Sequence, residues 1–290
     1  MKLCVTAAVI IGLWSPPSIS GDLFFTGTLA QGGLVFAKAE PGAHVTISGR
    51  TIQVDETGGF IFGLGRNHAP TLAVDVRFGD GTIVQQMIKV RQRNYDEQHI
   101  NNLPKKMVTP PVKIQERITR EAEDVRNARA HASDATHIRG KLIWPIVGPV
   151  TGIYGSRRIL NGEPRAPHYG VDIAAPTGTP VQVIASGVVR LATELYLSGN
   201  TVIVDHGHGM TSSYLHMQDI SVTKDQQISQ GHIVGQVGDG GVDFMAFYFA
   251  TARIDQVDFP SKTRIAHVAD HNIAGFAGRG RCADDTHASG

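Results

Sequence analysis

Val181-Gln182-Val183-Ile184-Ala185-Ser186-Gly187-Val188-Val189-Arg190-Leu191, followed by Thr201-Val202-Ile203-Val204 and Ser212-Ser213-Tyr214-Leu215-His216, decides the fold class. The runs are short, rich in β-branched residues and separated by Gly-containing turns, the pattern of strands. Almost no helical periodicity lies between them, so the stretch opened by Trp144-Pro145 predicts a compact, Gly-rich all-β domain.

Reading outward, residues 21–95 repeat the strand pattern. Leu34-Val35-Phe36-Ala37, His44-Val45-Thr46-Ile47 and Phe60-Ile61-Phe62 are separated by Glu40-Pro41-Gly42 and Thr57-Gly58-Gly59. Leu72 to Val76 and Ile83 to Val90 flank Gly79-Asp80-Gly81, a hairpin signal. This spacing predicts a small β-sandwich. The pattern P-G-x-x-V-x-I followed by D-x-x-G-x-F resembles bacterial immunoglobulin-like modules, and no catalytic constellation accompanies it. Residues 96–140 read as a linker. Thr109-Pro110-Pro111 breaks it, and a helix is expected over 114–131 with Ile118, Ala122 and Val125 as a narrow apolar stripe and Glu116–Arg120 as an i, i+4 pair. The helix packs on one neighbouring domain or binds a partner. The β domain covers 141–259 and an irregular tail 260–290.

The chain has 290 residues, enough for one large or two ordinary domains. Apolar residues at 41% and charged residues at 18% allow a buried core. Lys+Arg of 27 against Asp+Glu of 26 leaves no basic stripe, which argues against nucleic acid as a partner. Gly at 33 with aromatics at 7% suits a turn-rich β protein. No apolar run reaches the ~20 residues of a transmembrane span. Residues 1–20 read as a signal peptide: Lys2, an apolar run to Trp14, then Ser18-Ile19-Ser20 before Gly21. Export to the periplasm or cell surface is the expectation. Cys4 would leave with that segment, and Cys282 alone cannot form an intramolecular disulfide.

The polar residues that could do chemistry lie in the β domain. In Pro167-His168-Tyr169-Gly170-Val171-Asp172-Ile173-Ala174-Ala175-Pro176, Gly170 and the bracketing prolines argue against a helix. On an extended segment residues i and i+4 share a face, so an imidazole and a carboxylate converge over side-chain-free Gly170. That donor pair suits Zn²⁺, although the same pattern alone also describes a surface ion pair. A second cluster, Asp205-His206-Gly207-His208-Gly209 followed by His216, reads as a hairpin that returns an imidazole toward the first. His216 could act as general base or oxyanion donor, while His206 and His208 either take part or simply end the turn.

With these motifs in order, residues from about Trp144 to Gly238 resemble the lysostaphin-type (LytM-like) zinc metallopeptidases. The resemblance rests on Gly170-Val171-Asp172 to Pro180-Val181, Ala185-Ser186-Gly187-Val188-Val189, Asp205 to Gly209 and Tyr214-Leu215-His216. It implies a Gly-rich β-sheet groove and hydrolysis of amide bonds in peptidoglycan peptides. His168 and Asp172 would be two of three Zn²⁺ ligands and His216 one of two catalytic histidines. The family continues with G-P-H-L-H, which supplies the other catalytic histidine and the third ligand. Here Gly235-Gln236-Val237-Gly238 arrives on schedule, but Ala246 and Tyr248 fall where those histidines belong. Three accounts stay open: a domain that binds without cutting, a disturbed reading frame near Gly240, or a substitute ligand among Asp243, Tyr248, His267 and His271. The first makes the domain a peptidoglycan-binding or hydrolase-activating module, with other cell-wall hydrolases as partners. Templates for serine hydrolases, phosphate loops and H-E-x-x-H helices are absent from the sequence.

Overall fold

The computed structural model describes residues 23–101, 112–131, 133–239, 242–248 and 252–254. The leader 1–20 with Cys4, the Thr109-Pro110-Pro111 break, and the tail 260–290 with His267, His271 and Cys282 lie outside the described residues.

The fold is mainly β, as expected. Its N-terminal part contains β1 (Phe24–Gly27), β2 (Leu34–Lys38), β3 (His44–Ile47), β4 (Arg50–Ile52), β5 (Gly59–Gly63), β6 (Thr71–Arg77) and β7 (Ile83–Lys89). These form two antiparallel sheets, ordered β1-β2-β5 and β4-β3-β6-β7. Strand β6 shows why: Leu72, Val74 and Val76 are buried while Thr71 and Arg77 are exposed, the period-2 alternation of a strand with one face in a core. In the β6–β7 turn the Asp80 carboxylate accepts the Thr82 amide at 2.8 Å.

The remaining elements are β8 (Glu97–Ile100), helix α1 (Val112–Arg129), a short 3-10 turn (His137–Arg139), β9 (Val150–Gly152), β10 (Arg157–Leu160), β11 (Glu163–Pro164), β12 (Val171–Ile173), β13 (Pro180–Gln182), β14 (Gly187–Leu195), β15 (Gly199–Gly207), β16 (Met210–Ile220), β17 (Gln227–Ile228), β18 (Ile233–Val237), β19 (Val242–Tyr248) and β20 (Ala252–Ile254). A ten-stranded sheet has the path β17-β14-β15-β16-β19-β12-β9, with β13, β18 and β20 attached to it. Strand β8, inside the stretch read as linker, pairs in parallel with β10.

Helix α1 lies where the periodicity put it, but its inward stripe differs. Ile114, Ile118, Glu121, Val125 and Ala128 turn inward, and Ala122 is exposed. The ion pair is Arg117–Glu121 rather than Glu116–Arg120. Glu121 faces inward because its second oxygen accepts the Tyr196 amide at 2.7 Å, and Arg129 donates to Ser213 Oγ at 3.3 Å. These two bonds fasten the helix to the C-terminal sheet.

One hydrophobic cluster runs from Leu34, Phe60 and Leu72 through Ile138, Leu142 and Ile146 to Val183, Val202 and Tyr214, joining both β parts. Polar ties flank it. The Arg139 guanidinium pairs with Asp55, whose carboxylate also accepts the Thr57 and Gly59 amides at 2.8 and 2.9 Å. Burial opposes the Asp55 charge, but these hydrogen bonds and Arg139 outweigh it and hold the carboxyl below its ordinary range.

The β15–β16 hairpin closes on His208 and Gly209 with φ of 51° and 72°, the doubly positive signature of a type I′ turn. The connector packs against its first glycine: a Cβ on Gly207 would lie 1.6 Å from the Ala135 carbonyl oxygen, at a φ of 92°. Gly207→Ala is therefore expected to destabilise the protein by at least about 2 kcal/mol. Urea denaturation checks this, and an unchanged midpoint would contradict the packing.

Candidate functional site

His168 is held by its own backbone and by the turn at residues 153–156. The Gly155 amide donates to the His168 carbonyl at 2.7 Å, and the His168 amide donates to the Ser156 carbonyl at 2.8 Å. The imidazole Nδ1 lies 3.1 Å from the Ile153 carbonyl, which can only accept, so Nδ1 carries the proton. Nε2 then faces the Asp172 Oδ1 at 3.2 Å. The expected convergence is present. A lone pair set against a carboxylate needs a proton or a cation between them, and the Nδ1–H···O=C bond fixes the tautomer that ligates metals.

Asp172 lies on β12, opposite Gly152 of β9. A Cβ on Gly152 would come 2.0 Å from Asp172 Oδ2, so only glycine leaves that carboxylate its place. The 153–156 turn is itself buttressed from the N-terminal sandwich side. Arg66 Nε donates to the Gly155 carbonyl at 2.7 Å, and its guanidinium lies 4.4 Å from the Tyr95 ring centroid. Tyr95, Tyr154 and Tyr169 then follow edge to face at 6.2 Å per step, ending beside His168. The sequence reading missed Gly152, Gly155 and Arg66. The Gly152-Ile153-Tyr154-Gly155 string was a usable turn signal, whereas nothing local marks Arg66.

His216 leaves the alternation of β16. Asn200 pairs with Met217 but Val202 with Tyr214, so one extra residue sits on β16, and His216 has φ 59°. A bulge of this kind re-aims a side chain. His216 is exposed, and it lines a cavity of about 470 Å³ with Thr177, Gly199, Met217, Gln218, Gly238 and Asp239. Thr177 donates to Asp239 at 3.1 Å across it. Gly238 is required there, since a Cβ would meet the His216 carbonyl oxygen at 2.6 Å. Leu215, the neighbour of His216, pairs with Asp243, which pairs with Asp172. Two strand spacings, roughly 10 Å, thus separate the two halves of the site.

His206 and His208 do not join that site. His206 is fully buried: Nδ1 donates to the Ser186 carbonyl at 2.8 Å and Nε2 lies 2.7 Å from Ser212 Oγ. Nε2 therefore accepts from Ser212, whose oxygen is 2.9 Å from the Tyr214 hydroxyl, itself an acceptor for the Ile184 amide at 2.9 Å. Burial lowers the His206 pKa to about 4 and pushes the Tyr214 hydroxyl up. His208 ends the turn with its amide on the Ser133 carbonyl at 2.8 Å, and burial, with the Arg139 charge next, depresses its pKa.

A zinc centre of the expected type takes three protein ligands, and two tetrahedral donors at about 2.1 Å from one ion stand about 3.4 Å apart. His168 and Asp172 fit that spacing. No group of three His, Cys, Asp or Glu that could hold a metal ion occurs among the described residues. In register along β19, Ala246 stands opposite Ser212 and Tyr248 opposite Met210, beyond the Asp172–Asp243 pairing. Alanine has no donor atom.

Comparisons with known proteins agree on this region. The profile of Peptidase family M23 matches residues 166–256. Over 76 residues the chain is 41% identical to peptidoglycan DD-endopeptidase ShyA of Vibrio cholerae, covering 26% of this chain and 18% of that protein. Over 123 residues it is 37% identical to murein hydrolase activator EnvC of Escherichia coli, covering 42% of this chain and 28% of that protein. The chain thus spans about a fifth to a quarter of the length of these relatives. A Pseudomonas aeruginosa crystal structure assigned to peptidase M23 aligns with a TM-score of 0.59 at 24% identity, covering 79% of this chain and 93% of that one, a likeness of fold.

The His206 network sets a pH expectation. An imidazole that titrates near 6.5 unfolded and near 4 folded stabilises the fold fully above pH 6.5. That stability drains away as pH falls through this window, by about 3 kcal/mol in all. Urea unfolding at pH 7 and pH 4.5 measures it, with His206→Gln expected to flatten the difference. A wild-type curve unchanged between the two pH values would contradict the buried neutral imidazole.

Proposed function

We infer, from a chain whose residues 166–256 are a peptidase family M23 domain, that the protein works on the peptides of bacterial peptidoglycan and engages them without a complete three-ligand zinc centre. The observation that carries this is the combination of a preserved His168–Asp172 pair with a β19 strand that offers Ala246 and Tyr248 in place of two histidines. The groove side of the site keeps what recognition needs. His216 projects from its bulge into an open cavity where its ring nitrogens can donate to or accept from a peptide group, and Gln218 and Asp239 add further partners. The role this supports is a peptidoglycan-binding or hydrolase-activating module, in line with EnvC being a murein hydrolase activator. Its partners would be peptidoglycan and other cell-wall hydrolases, and its place the periplasm or cell surface, where that polymer lies.

A second reading is hydrolysis of the peptide amide bonds, in line with ShyA being a peptidoglycan DD-endopeptidase. The 3.2 Å Nε2···Oδ1 spacing favours it, since it is close to that of two donors sharing one Zn²⁺. It needs a further donor, with Asp243, Tyr248, His267 and His271 as the candidates. If Zn²⁺ is held, it would polarise the scissile carbonyl and supply hydroxide near neutral pH, with His216 as the assisting imidazole.

Two assays on purified peptidoglycan sacculi separate these readings. The full chain is expected to cosediment with sacculi and to clear their turbidity no faster than His168→Ala. Clearing by wild type that His168→Ala abolishes would establish the hydrolytic reading. Failure to cosediment would overturn the recognition role.

A further inference from the structure

We propose that the outer edge of β7 is an association surface for a second copy of this chain, the two β7 strands pairing antiparallel about a two-fold axis at Gln85. Strand β7 ends the sheet ordered β4-β3-β6-β7, and among the described residues it pairs with β6 alone. Its register runs without a shift from Ile83 opposite Arg77 to Lys89 opposite Thr71. Just past the ends of that ladder, the Val90 amide donates to the Pro70 carbonyl at 2.8 Å and the Phe78 amide to the Thr82 carbonyl at 2.9 Å. Thr82 and Val90 therefore face β6, and in an unbroken register so do Val84, Gln86 and Ile88. Ile83, Gln85, Met87 and Lys89 then aim both N–H and C=O away from the sheet.

The side chains of these four residues are exposed as well. Ile83 and Met87 are 59% and 60% accessible, high for large apolar groups. Free backbone groups beside apolar side chains make a template for another strand, which proteins usually blunt with charge, proline or a bulge. From Ile83 to Ile88 there is no charged side chain, no proline and no bulge. The spacing says which strand fits. Centred on Gln85, a two-fold pairing sets outward residues opposite outward residues, with Ile83 against Met87 of the second copy on both sides of the axis. Each exposed apolar side chain then gains an apolar neighbour, and Lys89 falls opposite Gly81, so like charges do not meet. With the axis one residue along, at Gln86, Lys89 would instead face Ile83. Each outward pair exchanges two N–H···O=C bonds, and the contact is isologous, so it closes at two copies. An unrelated protein would need a strand of matching length and apolar spacing, which a second copy carries by identity. One strand pair is a small interface, so the expected Kd is on the order of 10 µM. The proposal is independent of the peptidoglycan reading, since β7 contributes no residue to the His168–Asp172–His216 site.

Sedimentation equilibrium of the full chain, at concentrations from tenfold below to tenfold above that value, tests it. The dimer fraction is expected to rise across the range. Gln85→Pro deletes one outward N–H and no bond to β6, so the variant is expected to fold, by circular dichroism, and to associate at least tenfold more weakly. Ile83→Glu and Met87→Lys are each expected to weaken association tenfold or more when alone. Their equimolar mixture is expected to recover it, because the new carboxylate and the new ammonium face each other at one pair while the other pair keeps its native residues. Should Gln85→Pro fail to fold, the charge pair at two exposed positions decides alone. A monomer at every concentration, undiminished association in a folded Gln85→Pro, or a mixture no more associated than either variant alone would overturn the proposal.

Discussion

The pairing of β19 between β12 and β16 is the constraint on which the rest of the site depends. Asp172 and Leu215 are 43 positions apart in the chain (215 against 172), yet Asp243 pairs with both, which fixes their separation at two strand spacings. Without that central strand, the His168–Asp172 pair and the bulged His216 would sit on unconnected edges. The same strand is where the sequence departs from the pattern it resembles. The backbone pairing that assembles the groove is therefore present, while the sequence puts Ala246 and Tyr248 on that strand. Backbone ladders depend little on side-chain identity, whereas coordination requires particular donor atoms.

Much of this was legible from the residues. The alternation in β6, the glycine-marked hairpins and the β-branched runs around residues 181–215 report on burial of one or both faces, a local property. The meeting of His168 and Asp172 was legible in outcome but not in geometry: β12 begins at Val171 and the chain bends at Gly170, which brings side chains four positions apart to 3.2 Å. What was not legible is non-local. The parallel β8–β10 pairing joins residues 60 positions apart, such as Arg157 and Glu97. The bulge at His216 is set by its register against β15. Arg66 acts on the 153–156 turn from another part of the chain, and the helix turned Glu121 rather than Ala122 inward because a distant amide, that of Tyr196, needed an acceptor.

These long-range ties link the N-terminal sandwich to the C-terminal site. It shares a continuous hydrophobic cluster with the C-terminal sheet and reaches the turn that carries His168 through Arg66 and three tyrosine rings. The buried His206–Ser212–Tyr214 chain has a complementary part. It places three polar side chains inside the core to hold the β15–β16 hairpin in one register, the hairpin from which His216 projects.

The central proposal is that this chain keeps two of the three ligands of a zinc centre. Equilibrium dialysis of the full chain against buffered Zn²⁺, read by elemental analysis, addresses it most directly. The account predicts occupancy only at high free zinc, with a Kd weaker than about 1 µM, and its loss in His168→Ala. One zinc per chain retained at nanomolar free metal would contradict it, and would mean that a third donor closes the site.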